Sequence, residues 1–227
     1  MYAKCLKRIV DFTASLLGLV VLSPVFLILI VLGAVKMKGN PFFTQLRPGK
    51  DEKIFRLIKF RTMTCEKDEK GNLLPDEKRL TKYGKILRST SLDELPELIN
   101  ILKGDMALVG PRPQLVRDMV FMTKEQRVRH SIRPGLTGLA QVSGRNNITW
   151  EQKLQYDLTY LDGGITLFGD IKILFMTVFK VFKREDVVRD GTVSDMDFGD
   201  WLLQRGEVTK EEYDRLQAEA KELLKVF

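Results

Sequence analysis

Two adjacent carboxylates, Asp93 and Glu94, sit in the stretch "STSLDELPELINILKGDMALVGPRP", and basic residues crowd around them. Arg88 precedes the pair, and Arg112 follows in the loop "GPRP". "KFRTM" adds Lys59 and Arg61, and "RPGLTGLAQVSGR" carries Arg133 and Arg145. Arginine binds phosphate through a planar fork of donors. Several arginine-bearing loops, each punctuated by Gly or Pro, point to a pyrophosphate site. Carboxylates beside a pyrophosphate repel it unless they have work to do there. One can hold a divalent metal that neutralises phosphate charge. The other can attack phosphorus and form an aspartyl-phosphate.

Capping competes with this chemistry. Ser91 and Glu94 have the spacing of a capping box, with Ser91 as N-cap. Alternatively Asp93 is the cap and Pro96 lies in the first turn, where its missing donor costs nothing. Either arrangement puts both carboxylates at a helix N-terminus, where the dipole stabilises negative charge. A lone dyad is accounted for by capping, and a lone arginine by a solvated surface charge. Their combination is what argues for a phosphate site.

A chain of 227 residues suffices for one domain with a sizeable core. Lys and Arg total 37 against 30 Asp and Glu, formally +7, which favours an anionic partner. Cys5 and Cys65 provide neither a disulfide framework nor metal-ligand spacing. The single His130 excludes a histidine cluster, and no GxSxG accompanies it. A purely nucleic-acid-binding role is disfavoured. Such a surface gains nothing from Asp93-Glu94 among its arginines, and aromatic interleaving is sparse.

The elements that must position these residues begin with an apolar run from Asp11 to Val35, "DFTASLLGLVVLSPVFLILIVLGAV". At about 24 apolar residues it is long enough for a membrane helix. Lysines and arginines flank both ends, so charge bias assigns no orientation and allows both ends to be cytoplasmic. Ser23-Pro24 sits in the middle. Proline removes a backbone donor and bends a helix, and the Ser23 hydroxyl can bond a freed carbonyl. Each half then spans about 18 Å at about 1.5 Å per residue. A helix that enters, breaks and returns to the same face fits this pattern, and so does a kinked spanning helix.

Downstream, two short apolar runs, 41–45 and 54–62, flank the turn "RPGKDEK" and predict a β-hairpin. Residues 64–81 read as a polar loop, and "KYGKILRST" as a short helix. "TWEQKLQYDLTYLDG" predicts a helix capped by Thr149, with Trp150, Leu154, Leu158 and Leu161 on one face and Asp157 and Tyr160 beside it. "DIKILFMTVFKVFKR" places Ile171, Leu174, Phe175, Val178, Phe179 and Phe182 at helical spacing. That face either meets the core or lies in the headgroup region. The C-terminal segment reads as two helices, the second with Thr209 and Glu212 at capping-box spacing. They are too short to bury a core alone, so they pack on the main domain or on a second copy. Removal of this tail is expected to leave the dyad and the arginine loops in place.

The motifs "FTQLRPG", "KFRTM", "RSTSLDELPELINILKGDMALVGPRP", "RPGLTGLAQVSGR" and "YDLTYL", with the basic-flanked Ser23-Pro24 helix, resemble the small monotopic phosphoglycosyl transferases of the bacterial sugar transferase family. The resemblance runs from about Tyr2 to Arg184, and the chain is similar in size to the family's minimal members, including those that start bacterial N-linked protein glycosylation. It implies transfer of a sugar 1-phosphate from a UDP-sugar to undecaprenyl phosphate with release of UMP, the first membrane step of a glycoconjugate pathway. It implies Asp93 as nucleophile, Glu94 as a ligand of Mg²⁺, and Arg88, Arg112 and Arg145, with Lys59 and Arg61, as phosphate or nucleotide contacts. It also implies a break at Ser23-Pro24 in a re-entrant helix, on the cytoplasmic face of the bacterial inner membrane. The expected fold is mixed, mainly α with a small β-hairpin element, with interfacial amphipathic helices and a cytoplasmic catalytic domain. The expected division is a membrane helix (1–38), a catalytic domain (39–186), a linker (187–198) and a C-terminal helical hairpin (199–227) for docking or homo-oligomer formation. The expected partners are the UDP-sugar, undecaprenyl phosphate and the lipid bilayer, with no nucleic acid.

Overall fold

The computed structural model describes residues 2–144, 148–183 and 196–227. Arg145 and the greater part of the expected linker lie outside the described residues. Helix α1 (Lys7–Lys36) contains Pro24, and it is long and apolar enough by composition to cross a membrane. The Ser23 Oγ donates to the Val20 carbonyl at 2.7 Å. Val20 lies one turn before Pro24, so this is the carbonyl that the missing proline N–H leaves without its helical donor.

One face of α1 docks on the rest of the chain along its whole length. Lys7, Asp11 and Ser15 are buried near its start, and Leu29 and Gly33 near its end. Before Pro24, Arg8 donates to the carbonyls of Ile101 and Leu102, and Leu19 packs beside Leu98 and Ile101. After Pro24, Phe26 and Leu29 pack on Phe60 and Leu87. The opposite face leaves Leu17, Val20, Val21, Leu27, Val31 and Val35 exposed.

Strands β1 (Phe42–Pro48) and β2 (Ile54–Phe60) form the expected antiparallel hairpin, with Phe42 opposite Phe60. Their rings lie 5.4 Å apart, with Phe26 of α1 5.2 Å from Phe60, so aromatic packing fastens the helix to the hairpin. The polar loop contains the single turn α2 (Asp76–Arg79) and leads to α3 (Lys82–Ser89), capped by Thr81. After the dyad comes α4 (Glu97–Lys103), which ends at Gly104 in the left-handed region.

A second sheet has no counterpart in the sequence reading. Strand β3 (Ala107–Val109) pairs in parallel with β4 (Gly135–Thr137). These strands come from "ALVG" and "GLTG", where backbones meet so closely that a Cβ on Gly135 or Gly138 would collide with the Gly110 main chain. The helices α5 (Val116–Met119), α6 (Lys124–Arg127) and α7 (Leu139–Ser143) join these segments to α8 (Trp150–Asp162), whose cap is Thr149 as expected. Asp157 and Tyr160, expected beside the buried face of α8, are themselves buried.

Helix α9 (Leu167–Lys183) buries Asp170 and Ile173 but exposes Phe168, Ile171, Phe175, Val178 and Phe179. An ordinary core-facing helix would bury those side chains. Its N-terminal turn is tied to α1: Asp170 accepts from Lys7 Nζ at 2.6 Å, Tyr2 at 2.8 Å and Tyr160 at 2.6 Å. The C-terminal helices α10 (Phe198–Gln204) and α11 (Lys210–Leu224) pack on the same chain. Phe198, Leu202 and Ala220 share a core with Met119, Phe121, Met122, Trp150 and Leu154. Thr209 caps α11 by accepting from the Glu212 N–H.

Candidate active site

The dyad does not occupy a helix cap. Ser91 takes a left-handed conformation (φ 55°), makes no capping bond, and opens a 3₁₀ turn over Leu92–Glu94. Helix α4 starts after Pro96, so neither the Ser91 box nor an Asp93 cap forms. The reason is local. Left-handed Ser91 and the Pro96 ring, whose φ is fixed, put both carboxylates in a tight turn before α4 begins.

The two carboxylates have different surroundings. Glu94 Oε1 receives Lys59 Nζ and Arg112 Nη2, each at 2.7 Å. Burial acts to raise its pKa. The charges and hydrogen bonds of Arg112 and Lys59 outweigh burial and hold Glu94 well below the usual carboxylate range. Asp93 makes no hydrogen bond or ion pair among the described residues. Burial and then the Glu94 charge push its pKa up, against the pull of Lys59, Arg88 and Arg112. Strand β2 supplies Lys59, α3 supplies Arg88, and the loop after β3 supplies Arg112. The Arg88 Nε donates to Thr62 Oγ1 at 3.1 Å, which places its charge on the Asp93 side.

The floor of the site is a buried carboxylate absent from the sequence reading. Glu97 is 1% exposed, and its Oε1 lies 3.1 Å from Lys59 Nζ. Its pKa is pushed up to about 7 by burial, against the Lys59 charge. One turn on, buried Asn100 donates to the Arg56 carbonyl and accepts from the Ile58 N–H, fixing α4 against β2.

The loop bearing Arg112 is held by two further arginines. Arg129, buried and paired with Asp157 at 2.7 Å, donates to the Arg112 carbonyl at 2.6 Å. Arg47 donates to the Pro113 carbonyl at 3.2 Å. Burial, and then the nearby Arg112 charge, lower the Arg47 pKa to about 10.

Of the residues singled out by sequence, Lys59, Arg88, Asp93, Glu94 and Arg112 converge. Arg61 does not: its Nη2 reaches the Phe42 carbonyl at 3.4 Å. Arg133, grouped by sequence with the phosphate loops, instead donates to the Gly104 carbonyl at 2.7 Å and closes the end of α4. Arg145 lies outside the described residues. Sequence reading passed over Glu97, Arg129 and Arg47. For Glu97 there was a signal, since it stands one helical turn beyond Glu94.

The sequence profile of the bacterial sugar transferase family matches residues 2–184. The sugar transferase EpsL of Bacillus subtilis is 48% identical over 189 residues, 83% of this chain and 93% of that protein. The UDP-glucose:undecaprenyl-phosphate glucose-1-phosphate transferase of Klebsiella pneumoniae is 41% identical over 186 residues. The protein of the same name in Escherichia coli is 37% identical over 189 residues. The aligned stretch covers about four fifths of this chain, and 40% of each of these two longer relatives. Helices α10 and α11 lie beyond the family match. With four fifths of its length matched and the dyad and its cations inside that match, the chain belongs to the bacterial sugar transferase family of phosphoglycosyl transferases.

Proposed function

We propose that the chain transfers a sugar 1-phosphate from a UDP-sugar to undecaprenyl phosphate and releases UMP, through a phosphosugar carried on Asp93. The observation that carries this reading is the unequal pairing of the dyad. Glu94 is held by two cations, whereas Asp93 has no hydrogen-bond or ion-pair partner among the described residues and lies within the field of three. A carboxylate used only for structure is paired or capping, and Asp93 is neither. The names of the Klebsiella and Escherichia relatives support the same donor and acceptor classes.

In the first step an Asp93 carboxylate oxygen attacks the β-phosphorus of the UDP-sugar. The bond from that phosphorus to the bridging oxygen breaks, and UMP leaves with the oxygen. In the second step a phosphate oxygen of the lipid attacks the same phosphorus. The bond to Asp93 breaks, the free carboxylate returns, and the product is a lipid diphosphate sugar. Arg112 and Arg88 stabilise charge building on the phosphoryl oxygens from fixed positions. Arg129 and Arg47 hold the Arg112 loop, Thr62 accepts from Arg88, and Asn100 fixes α4 against the strand that carries Lys59.

The donors suit a magnesium ion. Glu94 Oε1 is occupied by Lys59 and Arg112, while among the described residues neither Oε2 nor Asp93 has a hydrogen-bond partner. That pattern fits Mg²⁺, which keeps waters and binds through one or two carboxylates plus substrate phosphates. Glu94 would hold it, and when bound it supplies charge neutralisation for the pyrophosphate.

The membrane arrangement that fits is monotopic, with α1 re-entrant at Ser23-Pro24 and both of its ends cytoplasmic. Its first turn is bonded to α4 and α9, and its last turns pack on Pro41 and Tyr83 of the same catalytic unit. The exposed apolar faces of α1 and α9 would meet lipid, setting the dyad at the headgroup plane where a lipid phosphate sits. The test is a set of UDP-sugars incubated with undecaprenyl phosphate and Mg²⁺. Release of UMP is expected, and release of UDP would replace phosphosugar transfer by transfer of the sugar alone.

A further inference from the structure

Glu97 has the burial of a core residue and the chemistry of a site residue. Its side chain is 2% exposed, yet Oε1 makes no well-directed hydrogen bond. A buried carboxylate oxygen left this way is costly, and native structures keep few of them. Among the described residues its one ion pair is with Lys59, whose Nζ lies 3.1 Å from Glu97 and 2.7 Å from Glu94. Lys59 therefore stands between two glutamates that do not contribute equally. The Glu94 side chain, in the dyad, keeps 13% exposure, whereas that of Glu97 is closed off at 2%.

The pairing raises a problem of competition. Glu94 already carries two cations on one oxygen. A divalent ion arriving at Glu94 meets the repulsion of Lys59 unless that ammonium has another place to rest. Glu97 is that place, and a shift of Lys59 by a fraction of an ångström turns the shared contact into a pair with Glu97. Removal of the Glu97 charge would take away the alternative counter-charge for Lys59 and leave that ammonium on Glu94, which disfavours the metal.

We infer that Glu97 is a positioning residue that takes Lys59 from Glu94 when the divalent cation binds, and so sets the affinity of the site for that cation. This rests on the assignment of Glu94 as the metal-holding residue. The test is Glu97→Gln in the full chain, which keeps shape and removes charge. Two readings are taken: the Mg²⁺ concentration giving half-maximal UMP release, and the enhancement of UDP binding by Mg²⁺ in calorimetry, which needs no turnover. Both are expected to weaken about tenfold, the scale of a lost charge-assisted contact. Half-saturation by UDP-sugar at saturating Mg²⁺ is expected to change less than about twofold. In a Lys59→Met background the same substitution is expected to leave Mg²⁺ dependence unchanged, because the competitor is gone.

A folded Glu97→Gln protein with wild-type Mg²⁺ dependence would overturn the inference, and so would a further weakening in the Lys59→Met background. Should the glutamine variant fail to fold, Glu97→Asp carries the test, with an intermediate Mg²⁺ requirement expected and an unchanged one contradicting it. Calorimetry separates this inference from the reaction. Mg²⁺-enhanced UDP binding that depends on Glu97 would stand even if the released nucleotide were UDP.

Discussion

Arg129 donates from Nη2 to the main-chain carbonyl of Arg112 at 2.6 Å, and Asp157 accepts from the same guanidinium at 2.7 Å. The Arg112 side chain, which pairs with Glu94, is thus steered through its own backbone by a residue buried behind it. Arg129→Met would strand the Asp157 charge and cost about 3–5 kcal/mol. Replacing both Arg129 and Asp157 by Leu is expected to restore most of that stability, since buried ion pairs are often replaceable by apolar pairs. The Arg112 carbonyl would still lack its donor, so kcat/KM is expected to fall about tenfold to a hundredfold. Denaturation in detergent together with steady-state rates checks this. A stable double variant with wild-type kcat/KM would remove Arg129 from the site's support.

The C-terminal helices are expected to be needed for stability. The Phe198 N–H donates to Asp118 Oδ1 at 2.9 Å, and the Trp150 indole donates to the Met196 carbonyl at 2.9 Å. Phe198→Ala should cost about 3–5 kcal/mol. That corresponds to a fall of about 10 °C in melting temperature for a chain of this size. Removal of residues 196–227 uncovers Met119, Phe121 and Trp150 and should be worse. In the fraction that folds, the dyad and the arginine loops are still expected to stay in place, so the loss falls on stability. A truncated chain that melts with the full-length protein would contradict this.

His130 sets an acid limit on stability. Burial, then the Arg129 and Arg127 charges, lower its pKa to about 3, from 6.5 in the unfolded chain. The folded state therefore holds it neutral, and between those values the unfolded state binds the extra proton. Stability is present above pH 6.5 and is lost as pH falls toward about 3, at about 1.4 kcal/mol per pH unit. Between pH 7 and 5 this amounts to about 2 kcal/mol. His130→Asn should lose that much less on acidification, as read by denaturant titration at both pH values. Equal acid sensitivity in the two proteins would contradict it.

The re-entrant arrangement is testable at Pro24. Pro24→Ala returns a donor to the Val20 carbonyl, which Ser23 Oγ now occupies at 2.7 Å. The helix can then straighten toward a span. In a background lacking Cys5 and Cys65, Ala3→Cys should be shielded from an impermeant thiol reagent outside intact cells. Labelling should appear in part of the Pro24→Ala population. Strong external labelling with Pro24 intact would show that α1 spans.

The sequence displayed the dyad, the cations Lys59, Arg88 and Arg112, the hairpin and the Ser23-Pro24 pairing, because each is a local pattern of residue type and spacing. Three features were hidden for physical reasons. The Ser91-Glu94 spacing matches a capping box, but a left-handed residue and a proline turn the chain before the helix begins. Strands β3 and β4 are three residues each and too short to show alternation. Lys7 and Arg8 read as flanking charges for a membrane helix, whereas they bond Asp170 and the α4 carbonyls, 163 and 93 positions away. A sequence shows a charge and not its partner.

The central claim is the covalent phosphosugar on Asp93, and mass spectrometry tests it most directly. The protein is incubated with UDP-sugar and Mg²⁺ without lipid acceptor, then digested. The peptide containing Asp93 is expected to gain the mass of a sugar phosphate, to lose it when undecaprenyl phosphate is added, and to gain nothing in Asp93→Asn. Full turnover by Asp93→Asn, or an adduct on another residue that the lipid discharges, would contradict the account.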